Sequence, residues 1–254
     1  MRYSERLFEM LPNLFYTIFA LYFLVLLSRI IGSRIFEIAT CTGAVLLNLF
    51  VLIYIYNISG ILPVFNIFES FLLISFIMGA TGLLVLFKGD FSIKVRKWVW
   101  IEILVLFLIM TFSKKEASLP TYDHGYVYIV MFHGFRCVAL AFMLFAAAWF
   151  IQFIIQREMD ERTSKLAHQG RNYLLLAAVF FLMGEYVGII WCQKGWGDFW
   201  TWSQTFFQST LIVLYLMLAF HIPGKGRKAE DIRSVIGSLS GIFMLTLSIL
   251  RSFY

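Results

Sequence analysis

Charge is scarce in this chain of 254 residues: 14% are Asp, Glu, Lys or Arg, 61% are hydrophobic, and mean hydropathy is +0.82. A water-soluble domain carries about 25% charged and about 45–50% apolar residues. A fold that hides this much apolar surface from water is therefore excluded, whereas lipid tails accept it. Paired cysteines are also lacking. Cys41, Cys137 and Cys192 form no C-x-x-C pair, which argues against a thiol redox motif. No repeat, low-complexity tract or soluble domain interrupts the chain. No small-residue cleavage site follows the first apolar stretch, so that stretch reads as a retained helix rather than a signal peptide.

What is present is a series of eight apolar segments, at roughly 12–31, 38–56, 67–87, 97–113, 126–155, 173–192, 204–222 and 233–250. Each approaches the ~20 residues a helix needs to cross a bilayer. The expected fold is all-α: a polytopic membrane helical bundle of about eight transmembrane helices, one integral membrane domain over residues 1–254. The net charge of +6 does not point to nucleic acid, because the basic residues fall in short loops beside apolar runs. The loops 29–37, 88–97, 157–171 and 225–233 hold fourteen of the 21 basic residues, the alternate side holds six, and Arg136 lies inside the fifth segment. This bias puts the first set in the cytoplasm. Both termini and the loops 57–66, 114–125 and 193–203 then lie outside, as expected of a multi-pass protein of the cytoplasmic (inner) membrane.

Aromatic residues make up 19% of the chain, and four of the seven Trp fall within 191–202: Trp191, Trp196, Trp200 and Trp202. The last three cannot share one face of a helix that repeats every 3.6 residues. Gly195 and Gly197 loosen the backbone and permit close approach of a ligand. An indole platform beside a membrane surface suits stacking on a flat, π-rich ligand; the plainer reading is an aromatic belt that anchors the loop.

The run Trp196-Gly197-Asp198-Phe199-Trp200-Thr201-Trp202 resembles the tryptophan-rich signature of the haem-handling cytochrome c biogenesis proteins of the CcsA/ResC type, close to W-G-x-[YF]-W-x-W-D-P-K-E. The match stops after Trp202, where Ser203-Gln204-Thr205-Phe206 replaces the acidic and basic run. Gly188-Ile189-Ile190-Trp191 resembles the family's preceding G-x-x-W. Gly60-Ile61-Leu62-Pro63-Val64-Phe65-Asn66-Ile67-Phe68-Glu69-Ser70 is similar to its G-x-x-P-x-x-N-x-[YF]-E-[SF], and Tyr128 to His133 resembles the segment that carries its first external haem-ligand His. The resemblance covers roughly residues 57–254. It implies haem binding and delivery for attachment to apocytochrome c, possession of haem as cofactor, and a ResB/CcsB-type membrane partner.

A His inside a bilayer is a functional candidate by default. The resemblance makes His133 and His221 the iron ligands. It makes Trp191, Trp196, Gly197, Asp198, Trp200 and Trp202 the haem-binding surface. His221 is about 27 Å of helix from Ser203, so the two histidines imply two sites rather than one shared haem. Each could instead be a structural His bonded to a neighbouring helix or interface. His168 falls in a basic loop and His124 in an outer loop, neither with a family counterpart. Where the family has a second external His after the last helix, Arg251 stands. Guanidinium cannot ligate iron, but its planar fork suits a haem propionate. Two other readings follow: a non-catalytic haem-sensing or structural subunit on the same scaffold, and a small-molecule transporter. The transporter would need intramembrane charges, for which Glu69, Arg136 and Glu185 are the candidates.

Overall fold

A computed structural model describes residues 2–86, 93–118, 127–156, 161–196, 204–223 and 226–251. These form eight α-helices and, among the described residues, no strand: α1 (Arg2–Ile31), α2 (Arg34–Ser59), α3 (Ile67–Leu86), α4 (Ile93–Thr111), α5 (Val127–Ile155), α6 (Glu161–Trp196), α7 (Gln204–His221) and α8 (Arg227–Arg251). The chain divides into two compact units, residues 1–125 and 126–254, each holding four helices.

In the first unit α1 packs on α2, α2 on α3, α3 on α4, and α4 returns to α1. The turns fit this tight circuit. Gly60 ends α2 at φ 72°, a left-handed conformation a side chain would oppose, and its N–H donates to the Tyr56 carbonyl at 2.8 Å. The core is aromatic: the Phe107 ring lies 5.4 Å from Phe15 and 5.8 Å from Phe19, with Tyr22 and Phe68 against the same cluster. Some buried polar groups are bonded between helices. The Tyr22 hydroxyl donates to the Ser75 carbonyl at 3.3 Å, and Asn48 Nδ2 donates to Ser75 Oγ at 3.0 Å.

In the second unit α5 is the hub, packed on both α6 and α8, with α7 against α8. Its sequence explains this. Ala139, Ala141, Ala146, Ala147 and Ala148 let neighbouring helices approach, and all are buried. The large Phe150 ring fits because its neighbours are glycines. A Cβ at Gly170 would come within 2.9 Å of that ring, and one at Gly237 would overlap it.

Six helices are long and apolar enough to cross a membrane: α1, α2, α3, α5, α6 and α8. Outward-facing Leu46, Phe50 and Ile53 on α2, and Leu175, Val179, Leu182 and Tyr186 on α6, are exposed. Water would not stabilise such faces; lipid does. The expected eight spans thus become six by this measure. α4 carries Lys94, Arg96, Lys97 and Glu102 in 19 residues, and the described part of α7's apolar stretch, Phe206–His221, is short.

Candidate functional site

His133 lies near the start of α5, and Trp191 near the end of α6. The fold brings Trp191 near Phe132, the chain neighbour of His133. Phe132 is fully buried, and its centroid lies 5.3 Å from the His133 ring, edge-on, and 6.4 Å from the Trp191 ring. One helical turn further along α5, Arg136 occupies the same face, since residues three or four apart are neighbours on a helix. Its guanidinium sits 4.5 Å from the Phe132 centroid and 5.5 Å from that of Phe181. Its Nε and Nη2 donate to Glu185 Oε1 at 3.0 and 2.7 Å, and Nη2 also donates to the Ser209 hydroxyl. Gly184 makes this contact possible: a Cβ there would stand 3.3 Å from Phe135 Cβ and 3.5 Å from the Phe132 carbonyl, so α6 lies close to α5 just where Glu185 reaches across.

Lys194 Nζ donates to the Tyr128 hydroxyl at 2.8 Å, which fixes the end of α6 beside the start of α5. At the other end of the unit, Arg227 Nη2 donates to the Gln156 carbonyl at 3.1 Å, and Arg233 donates twice to the Ile222 carbonyl at 3.1 and 2.9 Å. His133 therefore belongs to the first end and His221 to the second, and from His133 to Gln156 α5 rises about 34 Å. His221 is exposed, and its Nδ1 lies 2.9 Å from the Met217 carbonyl. A carbonyl can only accept, so Nδ1 donates in this contact and Nε2 points away from it.

Gly197, Asp198, Trp200 and Trp202 lie outside the described residues. Trp196 and Arg251 end α6 and α8, and their side chains also lie outside them. The loop expected at 193–203 begins later than the sequence suggested, because α6 continues through Gly195 to Trp196. His124 is outside the described residues, and His168 is an exposed residue of α6. Of the three intramembrane charges, Arg136 and Glu185 pair. Among the described residues no cation pairs with Glu69: its carboxylate accepts from the Phe65 N–H, the Ser118 N–H and the Ser118 hydroxyl at 3.2, 2.6 and 3.0 Å. Asn66, from the same motif, caps α3 by accepting the Glu69 N–H at 2.7 Å. That motif therefore staples two loops of the first unit.

Sequence reasoning missed a second buried ion pair. Glu37 and Arg96, both assigned to loops, lie in the first turns of α2 and α4 and are 1% and 2% exposed. Arg96 Nη2 stands 3.6 Å from Glu37 Oε2, and Trp100 Nε1 donates to Glu37 Oε1 at 3.3 Å. The available signal was the spacing of Arg96 and Trp100, which puts both on one helical face.

No protein-family model matches the chain, and no curated protein sequence matches it. The fold itself defines the class: a multi-pass membrane protein built from α-helices.

Proposed function

We propose that this protein binds haem and presents it for attachment to apocytochrome c at the outer face of the cytoplasmic membrane, with a ResB/CcsB-type partner. The observation that carries the reading is that Trp191 lies near Phe132, the chain neighbour of His133. The segment resembling a haem-ligand helix and the flank of the tryptophan signature thus meet at one end of the second unit. The residues fit the group. An imidazole edge-on to Phe132, which in turn lies near Trp191, suits an axial ligand with aromatic surface at hand, and His221 offers a second imidazole at the far end. Bound haem would supply the iron and the porphyrin that is covalently attached. The chain's own part is to hold and orient it: His133 as ligand, Trp196, Gly197, Asp198, Trp200 and Trp202 as platform, Arg251 as propionate partner, His221 as the supply-side ligand. The Arg136–Glu185 pair favours one other reading, a small-molecule transporter, because such proteins use intramembrane charges.

An absorption spectrum of the purified protein, with and without reductant, tests the proposal. The wild type carries a haem Soret band. His133→Ala removes the outer-site signal and added imidazole partly restores it, while Trp196→Ala, Trp200→Ala and Trp202→Ala weaken haem retention without blocking insertion. A preparation containing its membrane partner yet no haem sinks the reading. Restoring the family residue with Arg251→His, and finding neither more haem nor a low-spin shift, favours the non-catalytic subunit.

A further inference from the structure

Arg96 is a buried charged group with incompletely satisfied donors. It is 2% exposed, and its Nε and Nη1 are buried with no hydrogen-bond partner. Its contact with Glu37, at 3.6 Å, is an ion pair too long for a hydrogen bond. Glu37 also serves the Trp100 indole. Arg29 and Arg34 lie within electrostatic reach of Arg96, so positive charge gathers at this end of the unit. A helix dipole adds to it. The 26-residue α2 starts at Arg34, and its N-cap, Ser33, makes no side-chain capping bond, so the positive end of the helix stands uncapped beside the arginines. A guanidinium withdrawn from water demands acceptors more strongly than an exposed one.

We propose that this end of the first unit binds the phosphate headgroup of an anionic phospholipid. Phosphate offers several acceptor oxygens and matches the planar guanidinium fork. A lipid is favoured over a soluble phosphate because Ile30, Ile31, Ile35 and Phe36 are exposed around the same turn, 45% to 84%, giving an acyl chain an apolar surface beside the basic cluster. The site sits where one helix ends and two begin, the level at which headgroups meet basic residues. In binding, Arg96 exchanges its long contact to Glu37 for the phosphate, and Glu37 keeps the Trp100 indole as donor. The proposal is independent of the haem reading.

The test is thermal unfolding of the full chain in detergent, stripped of lipid and then given phosphatidylglycerol, phosphatidylcholine or inorganic phosphate. Phosphatidylglycerol at ~100 times its dissociation constant raises the wild-type Tm by about 5–10 °C, and the other two do not. Arg96→Gln abolishes the shift. Should Arg96→Gln fail to fold, Arg34→Gln at the exposed rim carries the test. It raises the phosphatidylglycerol concentration for half the shift about fivefold. A wild type indifferent to phosphatidylglycerol overturns the site, as does an equal response in Arg34→Gln. An equal shift with phosphatidylcholine or with inorganic phosphate overturns the anionic-lipid assignment.

Discussion

Among the described residues each unit holds an arginine–carboxylate pair between helices, fully buried in the first and part-buried in the second, and the two pairs are built differently. In the second unit Arg136 makes two hydrogen bonds to Glu185, one to Ser209, and lies over the rings of Phe132 and Phe181. In the first unit Arg96 has a single 3.6 Å contact and two bare nitrogens. Burial of an ion pair is repaid only when its remaining donors are also satisfied. The Arg136 pair comes nearer that condition from within the chain, through Nε and Nη2, and acts as an internal strut beneath His133 and Trp191. The Arg96 pair does not, and its missing acceptor comes from outside.

The largest effect expected from this contrast is on removal of Glu185. Glu185→Ala leaves a cation in a membrane helix with only Ser209 and two rings, and costs about 3–5 kcal/mol of stability. Replacing both partners, Arg136→Met with Glu185→Leu, recovers most of the loss because no charge is then stranded. Denaturant unfolding in detergent measures both. If Glu185→Ala costs under ~1 kcal/mol, below the range for a broken buried pair, the strut is no strut and the comparison fails.

How far the sequence anticipated these features depends on hydropathy contrast. The segment expected at 126–155 became α5 at Val127–Ile155, since an apolar run ends there against polar residues. The segment expected at 173–192 became α6, beginning already at Glu161, because polar residues continue a helix without changing its hydropathy signature. α8 likewise starts at Arg227 rather than 233. The grouping of loops into two ends, as read from charge, matches contacts inside each unit. Glu37 meets Arg96 at one end of the first unit and Asn66 meets Ser118 at the other, and the Arg227–Gln156 bond joins two basic loops of the second. The candidate site was legible where a motif fixed it, at His133 and Trp191. The Arg136–Glu185 pair was legible only as two isolated charges, and Glu37–Arg96 not at all, because an ion pair is made by two helices whose proximity no local pattern encodes.

The next effect in size concerns how the units are packed. Gly237→Ala drives a methyl group into the Phe150 ring, which Gly170 confines from the other side. Overpacking of this kind costs about 1–3 kcal/mol, and Phe150→Leu in the same chain recovers part of it. In the first unit Gly82→Ala meets Trp100 at 2.8 Å and belongs to the same range. Thermal unfolding ranks them. A glycine variant more damaging than Glu185→Ala would mean that close packing, not the charge pair, contributes more to holding the second unit together.

Glu69→Gln comes third. The amide keeps one acceptor oxygen but puts an NH2 where Phe65 or Ser118 donates, so at least one donor of the staple is left facing another. The expected cost is about 1–3 kcal/mol for a buried hydrogen bond left unmade. Amide hydrogen exchange at Phe65 and Ser118 should quicken while that of α5 stays unchanged. Unaltered exchange at both positions would mean that the loops are held by something other than this carboxylate.

The smallest effect is expected where the same chemistry meets solvent. Lys194 donates to the Tyr128 hydroxyl at 2.8 Å and lies 4.9 Å from the Tyr128 ring centroid, a hydrogen bond and a cation–π contact in one pair. On bond length it rivals the Arg136–Glu185 contact. Its surroundings differ: Lys194 is exposed, so water replaces whatever the tyrosine loses, and no group is stranded. Tyr128→Phe deletes the hydroxyl and keeps the ring, and should cost below about 0.5 kcal/mol in detergent unfolding, in the range of exposed polar pairs. Lys194→Ala removes both contacts and should remain under about 1 kcal/mol. Distance alone predicts two comparable pairs, whereas burial predicts a several-fold difference between them. If Tyr128→Phe proved as costly as Glu185→Ala, the dielectric argument that separates the Lys194–Tyr128 pair from the Arg136–Glu185 pair would lose its footing, since bond geometry would then decide the energy wherever the pair lay.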